Sequence, residues 1–204
     1  MRPLYFFCLV LCSLLLMPLT VQAGEPVTLI KQTINEVIDI LKDEELKKPD
    51  KGAERRAELR TAIGERFDFE EMAKRSLGLH WKKRTTEERQ EFIPLYSDLL
   101  ERSYVNKIES YTDEQILYTD ESIDDDYASV KTKIITKRNV EIPIEYRLLK
   151  KNNQWGVYDV VIEGVSLVNN YRNQFNKIIR KDSYEELVKR MKDKLEEEEF
   201  QETQ

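Results

Sequence analysis

Apolar residues recur at intervals of three and four from Val27 through Ile30, Ile34, Val37 and Ile38 to Leu41, the stripe of an amphipathic helix. Pro49 and Gly52 in DEELKKPDKG end it in a loop, and a second helix is expected from Ala53 to Glu65 with Leu59 and Ile63 inward. Asp68 precedes Glu71 by three residues, a capping spacing, ahead of Met72, Ala73 and Leu77, with Gly78 as the stop. Thr85 and Glu88 repeat that spacing before a helix carrying Phe92, Leu95, Tyr96, Leu99, Leu100, Tyr104 and Ile108. Pro94 lies inside it, and the missing backbone donor predicts a bend.

The period then changes to two. Ala128, Val130, Thr132 and Ile134 alternate with Ser129, Lys131 and Lys133, the pattern of a half-exposed strand. Val140, Ile142, Ile144, Tyr146 and Leu148 form the next apolar face, and Pro143 predicts that this strand is bulged or at an edge. Lys150–Gln154 reads as a hairpin turn, and Ile116–Tyr118 as the start of the sheet. The partner strand is unusual: Trp155, Val157 and Val161 would lie on one face, Tyr158, Val160 and Ile162 on the other, so both faces are apolar. Ser166 then caps a helix with Leu167, Val168, Tyr171, Phe175 and Ile178. Ser183 with Glu186 opens another, carrying Tyr184, Leu187, Val188, Met191 and Leu195. Helices, a meander of strands and again helices give an α+β class. The acidic end, residues 196–204, is expected to be a frayed tail.

Residues 1–23 have a different composition. Arg2 is the one charge before Glu25, Leu4–Met17 is an apolar run, and Val21-Gln22-Ala23 resembles a cleavage junction. This is the form of a secretory signal peptide, with an apolar run short of the roughly 20 residues of a membrane span. Cleavage after Ala23 leaves 181 residues, one domain expected over 24–195, and removes Cys8 and Cys12, so no thiol remains to staple or ligate. It also leaves 32 basic against 39 acidic residues, a balance that argues against nucleic acid and against lasting adhesion to anionic lipid surfaces.

Catalytic groups are scarce. His80 is the single histidine, flanked by Leu79 and Trp81, and reads as a packed or surface residue. Ser166 in Gly-Val-Ser-Leu lacks the second glycine of a nucleophile elbow and reads as a helix cap. In DESIDDDYASVK the sixth position of a calcium loop is Asp125 and the twelfth Lys131, so the template fails and a solvated turn before a strand is expected. The double lysine Lys82-Lys83 reads as a solvated loop. Asp159 is left open between pairing a base and capping the backbone.

Three stretches together resemble one family: FDFEEMAKRSLGLHW, TEERQEFIPLYSDLLERSYVNKIESY and VKTKIITKRNVEIPIEYRLLKKNNQWGVYDVVIEGVSLVNNYRNQFNKII. The most specific series is Trp155, Asp159, Gly164, Ser166, Leu167, Tyr171 and Phe175, supported by Phe67-Asp68, Met72, Leu77-Gly78 and Trp81. The resemblance is to MlaC, the periplasmic phospholipid carriers of the Mla intermembrane lipid-transport system, also called the toluene-tolerance auxiliary family. It implies a helical shell around a curved antiparallel sheet of about four strands, with an internal hydrophobic pocket for acyl chains. On that fold the expected lining is Phe92, Tyr96, Leu99, Tyr104, Val130, Ile134, Ile144, Tyr146, Val157, Val165 and Tyr171. It further implies a periplasmic location, phospholipid as cargo, no cofactor and no catalysis. The implied partners are an inner-membrane ABC transporter complex with an MCE component and an outer-membrane lipoprotein–porin complex. The rival readings are an enzyme of the cone-shaped α+β type, which needs polar groups converging around His80, and an envelope adaptor with a solid interior.

Overall fold

The computed structural model describes residues 24–202, with side chains through residue 196; the expected leader lies outside the described residues. Five antiparallel strands follow one another across a single curved, unclosed sheet: β1 (Gln115–Asp124), β2 (Tyr127–Ile135), β3 (Glu141–Lys151), β4 (Gln154–Ile162) and β5 (Val165–Ser166). The helices are α1 (Glu25–Lys42), α2 (Gly52–Gly64), α3 (Phe69–Leu77), α4 (Thr86–Glu109), α5 (Leu167–Lys181) and α6 (Tyr184–Glu202). Asn152 and Asn153 both take positive φ at the β3–β4 turn, as do Glu163 and Gly164 at the β4–β5 turn, as two-residue hairpins require.

Two bulges explain what simple alternation misses. In β4 the register slips between Arg147–Asp159 and Leu148–Val157, so Tyr158 has no partner and the phase reverses. Trp155, Val157, Val160 and Ile162 therefore share one face, in place of the two faces expected. Their partners Leu148, Tyr146 and Ile144, with Ala128 and Val130 beyond them, continue that inner face. In β1 the slip falls at Thr119, and the strand continues through the acidic residues expected to be a turn. This edge position lets those carboxylates stay solvated, with Asp120 bonded to Lys131 at 2.9 Å, and charge on an edge strand discourages pairing with another chain.

β3 is interior, against the edge or bulge expected from Pro143. The carbonyl of Pro143 accepts from Glu163 N at 3.0 Å, just past the end of β4. A strand residue aims its nitrogen and carbonyl the same way, so the missing donor faces a turn and costs no ladder bond. On the far side of β4, Arg66 and Asp68 exchange backbone bonds with Val157 at 2.8 and 2.9 Å. A Cβ on Gly156 would lie 3.1 Å from Asp68 Cβ, a tight contact that glycine avoids in this close approach.

The caps fall where the spacing places them. Asp68 accepts from Glu71 N at 2.9 Å, Thr85 and Glu88 form a reciprocal box, and Ser166 accepts from Asn169 N at 3.0 Å. Ser183 accepts from Glu186 N, but the Glu186 carboxylate turns to Arg190, so that box is half formed. α4 runs through the exposed Pro94 without interruption. The backbone of α6 stays helical to Glu202 where a frayed tail was expected; glutamate is a good helix former.

Candidate functional site

The apolar residues gather in two clusters. The first is helical: Met72, Leu77 and Trp81 meet Phe92, Tyr96, Leu99, Tyr171, Phe175, Tyr184 and Leu187, all buried. Ring centroids of Phe92, Tyr96, Tyr171 and Phe175 stand 5.5–6.1 Å apart. The three phenols inside have partners, Ser76 Oγ donating to Tyr96 at 2.8 Å, Tyr171 bonding Ser103 at 3.2 Å and Tyr184 donating to the Glu88 carbonyl at 3.1 Å. Burial pushes the Tyr96 phenol well above its usual range.

The second cluster is the inner sheet face beneath α1. Ile30, Ala128, Val130, Leu148, Trp155, Val157, Val160 and Leu167 are buried there. Around them Ile34, Tyr104, Tyr118, Ile144, Tyr146 and Ile162 are only partly buried, as are Ile134 and Ile142 on the same strand faces. Thr132 sits in this face, 1% exposed, and its Oγ1 makes no close hydrogen bond, the Tyr146 hydroxyl being the polar group near it. Burial pushes the neighbouring Tyr146 phenol up to about 12.

The expected lining divides between these clusters. Phe92, Tyr96, Leu99 and Tyr171 belong to the helical one. Val130 and Val157 are fully buried in the sheet cluster, with Ile144 and Tyr146 packed against it and Ile134 on the same face. Tyr104 touches both. Val165 stands apart, 56% exposed on β5. Tyr118 and Ile162 join the face although sequence reasoning left them out; Tyr118 lies beside the bulge at Thr119, and Ile162 follows the one at Tyr158, which shifts its phase.

Charged groups brace the fold around the face. Asp159, 3% exposed, does both things left open for it: it accepts from Arg147 (3.3 Å), Ser166 Oγ (2.7 Å) and Val168 N (3.1 Å), fixing the start of α5 to β4. Burial acts to raise the Glu71 carboxyl, yet bonds from Lys151, Lys74 and Arg75 outweigh it and hold the group at about 2. Lys151 also reaches Asp68 at 2.8 Å, so α3 is clamped to the β3–β4 hairpin. His80 bonds Asn176 at 3.0 Å.

Two surface clefts border the sheet cluster. One, of about 630 Å³, runs beside the start of α1 and the β3–β4 hairpin, among Glu25, Arg66, Asp68, Lys151 and Trp155. The other, of about 230 Å³, lies along β2 and β3 among Thr119, Lys131, Thr132, Lys133, Ile144 and Glu145. Neither cleft is the internal apolar pocket expected between sheet and helices; the inner face is instead partly covered there.

These features define a class of α+β protein: a curved, unclosed sheet, one apolar face partly sheltered by helices, and a separate aromatic helical core behind it. Residues 31–193 match the MlaC protein family, and the chain belongs to that family. It is 25% identical over 120 residues to the intermembrane phospholipid transport system binding protein MlaC of Haemophilus influenzae. That alignment spans 56% of this chain and 56% of the relative, little more than half of its length. The fold is shared with the phospholipid-binding protein from Ralstonia solanacearum, solved in complex with a phospholipid. There the TM-score is 0.73 at 23% identity, over 84% of this chain and 97% of the other.

Proposed function

We propose that this protein binds phospholipid on the half-covered inner face of its sheet and carries it through the periplasm between the two membranes of a Gram-negative envelope. Val130 and Val157 form the floor, and Ile134, Ile144, Tyr146 and Tyr104 contact the acyl chains. Phe92, Tyr96, Leu99 and Tyr171 serve as the wall behind Tyr104. The observation that carries this reading is the rim of partly buried aliphatic and aromatic side chains around a buried apolar floor.

The chemistry asked of such a protein is burial. Each methylene moved out of water is worth about 0.8 kcal/mol, so two tails of about fifteen methylenes face roughly 20–25 kcal/mol in crossing water bare. A carrier offsets that cost by covering the tails, and needs no catalytic residue to do it. Delivery needs docking: the partners we propose are an inner-membrane ABC transporter complex with an MCE component and an outer-membrane lipoprotein–porin complex.

Native mass spectrometry of protein purified from its periplasm, followed by lipid extraction, tests the reading. Phospholipid should co-purify. A clean lipid-free mass, together with no uptake from vesicles carrying labelled phospholipid, would overturn it.

A further inference from the structure

The bulge at Thr119 turns Glu121 onto the inner side of β1, against the first turn of α1. Its carboxylate accepts from the backbone nitrogens of Gly24 at 2.9 Å and Val27 at 2.8 Å. A Cβ at position 24 would collide with that carboxylate, so a side chain there would force Glu121 to shift. The same turn is seated elsewhere too: Glu25 accepts from Trp155 Nε1 at 3.1 Å, and Pro26 is buried.

Gly24 follows Val21-Gln22-Ala23, the cleavage-like junction of the sequence. We infer that Ala23–Gly24 is a processing site, and that the α-ammonium freed there pairs with Glu121 and completes the seating of α1 on the sheet. A peptidase adds one water across the bond. The C–N bond breaks, the hydroxyl joins the Ala23 carbonyl carbon, which leaves as a carboxylate, and the Gly24 nitrogen ends with three protons and a positive charge.

The charge change gives the contact its direction. In peptide linkage Gly24 offers Glu121 one neutral donor. Once freed, it offers a charged one, and charge-assisted bonds are about twice as strong as neutral ones. A bare cation at the start of a helix opposes the helix dipole, and Glu121 supplies the anion that answers it. Glycine at 24 lets the nitrogen approach without a side chain in the way. Because α1 carries Val27, Ile30 and Ile34 onto the inner face, processing would also fix one wall of that face.

The test begins with the full chain exported by a Gram-negative host. Its intact mass and N-terminal sequence should place the first residue at Gly24; another start overturns the inference. The exported protein is then compared by thermal unfolding with a chain bearing one extra serine before Gly24, each with and without Glu121→Gln. The serine chain should melt lower by about 2–4 °C, the size of a 1 kcal/mol loss in a chain of this length. The gap should close in 1 M salt, where the screening length is about 3 Å. Glu121→Gln should cost more in the native-ended chain than in the serine chain. Equal melting of the two ends, which needs no variant of Glu121, would overturn the inference. So would an equal Glu121→Gln loss in both, since Glu121 would then be a cap for backbone amides alone.

Discussion

The helical cluster and the inner sheet face are built from the same kinds of side chain, yet one is closed and the other is not. Around Tyr96 and Phe92, helices α3, α4, α5 and α6 converge, aromatic rings meet edge to face, and the buried phenols find hydroxyl or carbonyl partners. On the sheet α1 packs on β1 and β2 while α3 and α5 reach β4, so cover comes from the two sides. A helix is about 10 Å across, whereas four strands at about 4.8 Å spacing span nearly twice that. The uncovered remainder is where Ile142, Ile144, Tyr146 and Ile162 stay half-buried. A closed cluster stores stability. An open apolar face leaves transfer free energy unused until something apolar covers it.

If that division is real, stability and lipid retention should separate on mutation. Phe92→Ala in the closed cluster should cost about 3–5 kcal/mol, the usual range for removing a buried phenyl ring, read by urea unfolding. Phe175→Ala, in the same cluster but outside the assigned wall, should cost a similar amount, and the molecules that still fold should hold lipid as before. Ile144→Trp on the open face should do the opposite. Its indole would occupy the space meant for an acyl chain, cutting co-purified phospholipid by about tenfold, equivalent to 1.4 kcal/mol, with unfolding unchanged. Were the face already filled, the extra volume would instead cost about 1–3 kcal/mol, and the two regions would be alike.

The clamp between the regions has its own pH signature. The Glu71 carboxyl is held at about 2, below the ordinary 4.5, by Lys151, Lys74 and Arg75 against the opposing effect of burial. A lowered carboxyl stabilises the fold fully above its unfolded value, and that stability is lost as pH falls from about 4.5 toward 2. Glu71→Gln should therefore lower the urea midpoint at pH 7 and flatten its decline between those limits. Parallel curves for the two proteins would show that the clamp carries no linked protons.

Much of the closed region was legible in the sequence because helices keep their period. The stripe through Phe92, Tyr96 and Leu99 and the caps at Asp68, Thr85 and Ser166 all fall where spacing puts them. The open face was read less well, for a physical reason: a bulge adds one residue and inverts every assignment after it. Thus β4 looked apolar on two sides when the bulge at Tyr158 brings Trp155, Val157, Val160 and Ile162 to one. Likewise Glu121 seemed part of a solvated run, whereas the bulge at Thr119 turns it to α1. Sequence also gave no way to tell packed from half-covered, so Tyr96 and Tyr146 were both expected to line a pocket. Burial separates them.

The smallest expected effect probes the same contrast at one atom. In the closed cluster every hydroxyl named above has a partner, but Thr132 Oγ1 in the open face is buried with only the Tyr146 hydroxyl near it and no close bond. An unpaired buried polar group costs about 1–3 kcal/mol, and replacing it by an apolar group of the same shape removes that cost. Thr132→Val should therefore raise the stability of delipidated protein by up to about 1 kcal/mol, measured as a shift in urea midpoint. In lipid-loaded protein the gain should shrink if a polar atom of the guest meets the hydroxyl, and persist if only acyl carbon lies against it. A loss of stability in both forms would mean that Thr132 is already bonded. The open face would then be satisfied in the same way as the core behind it.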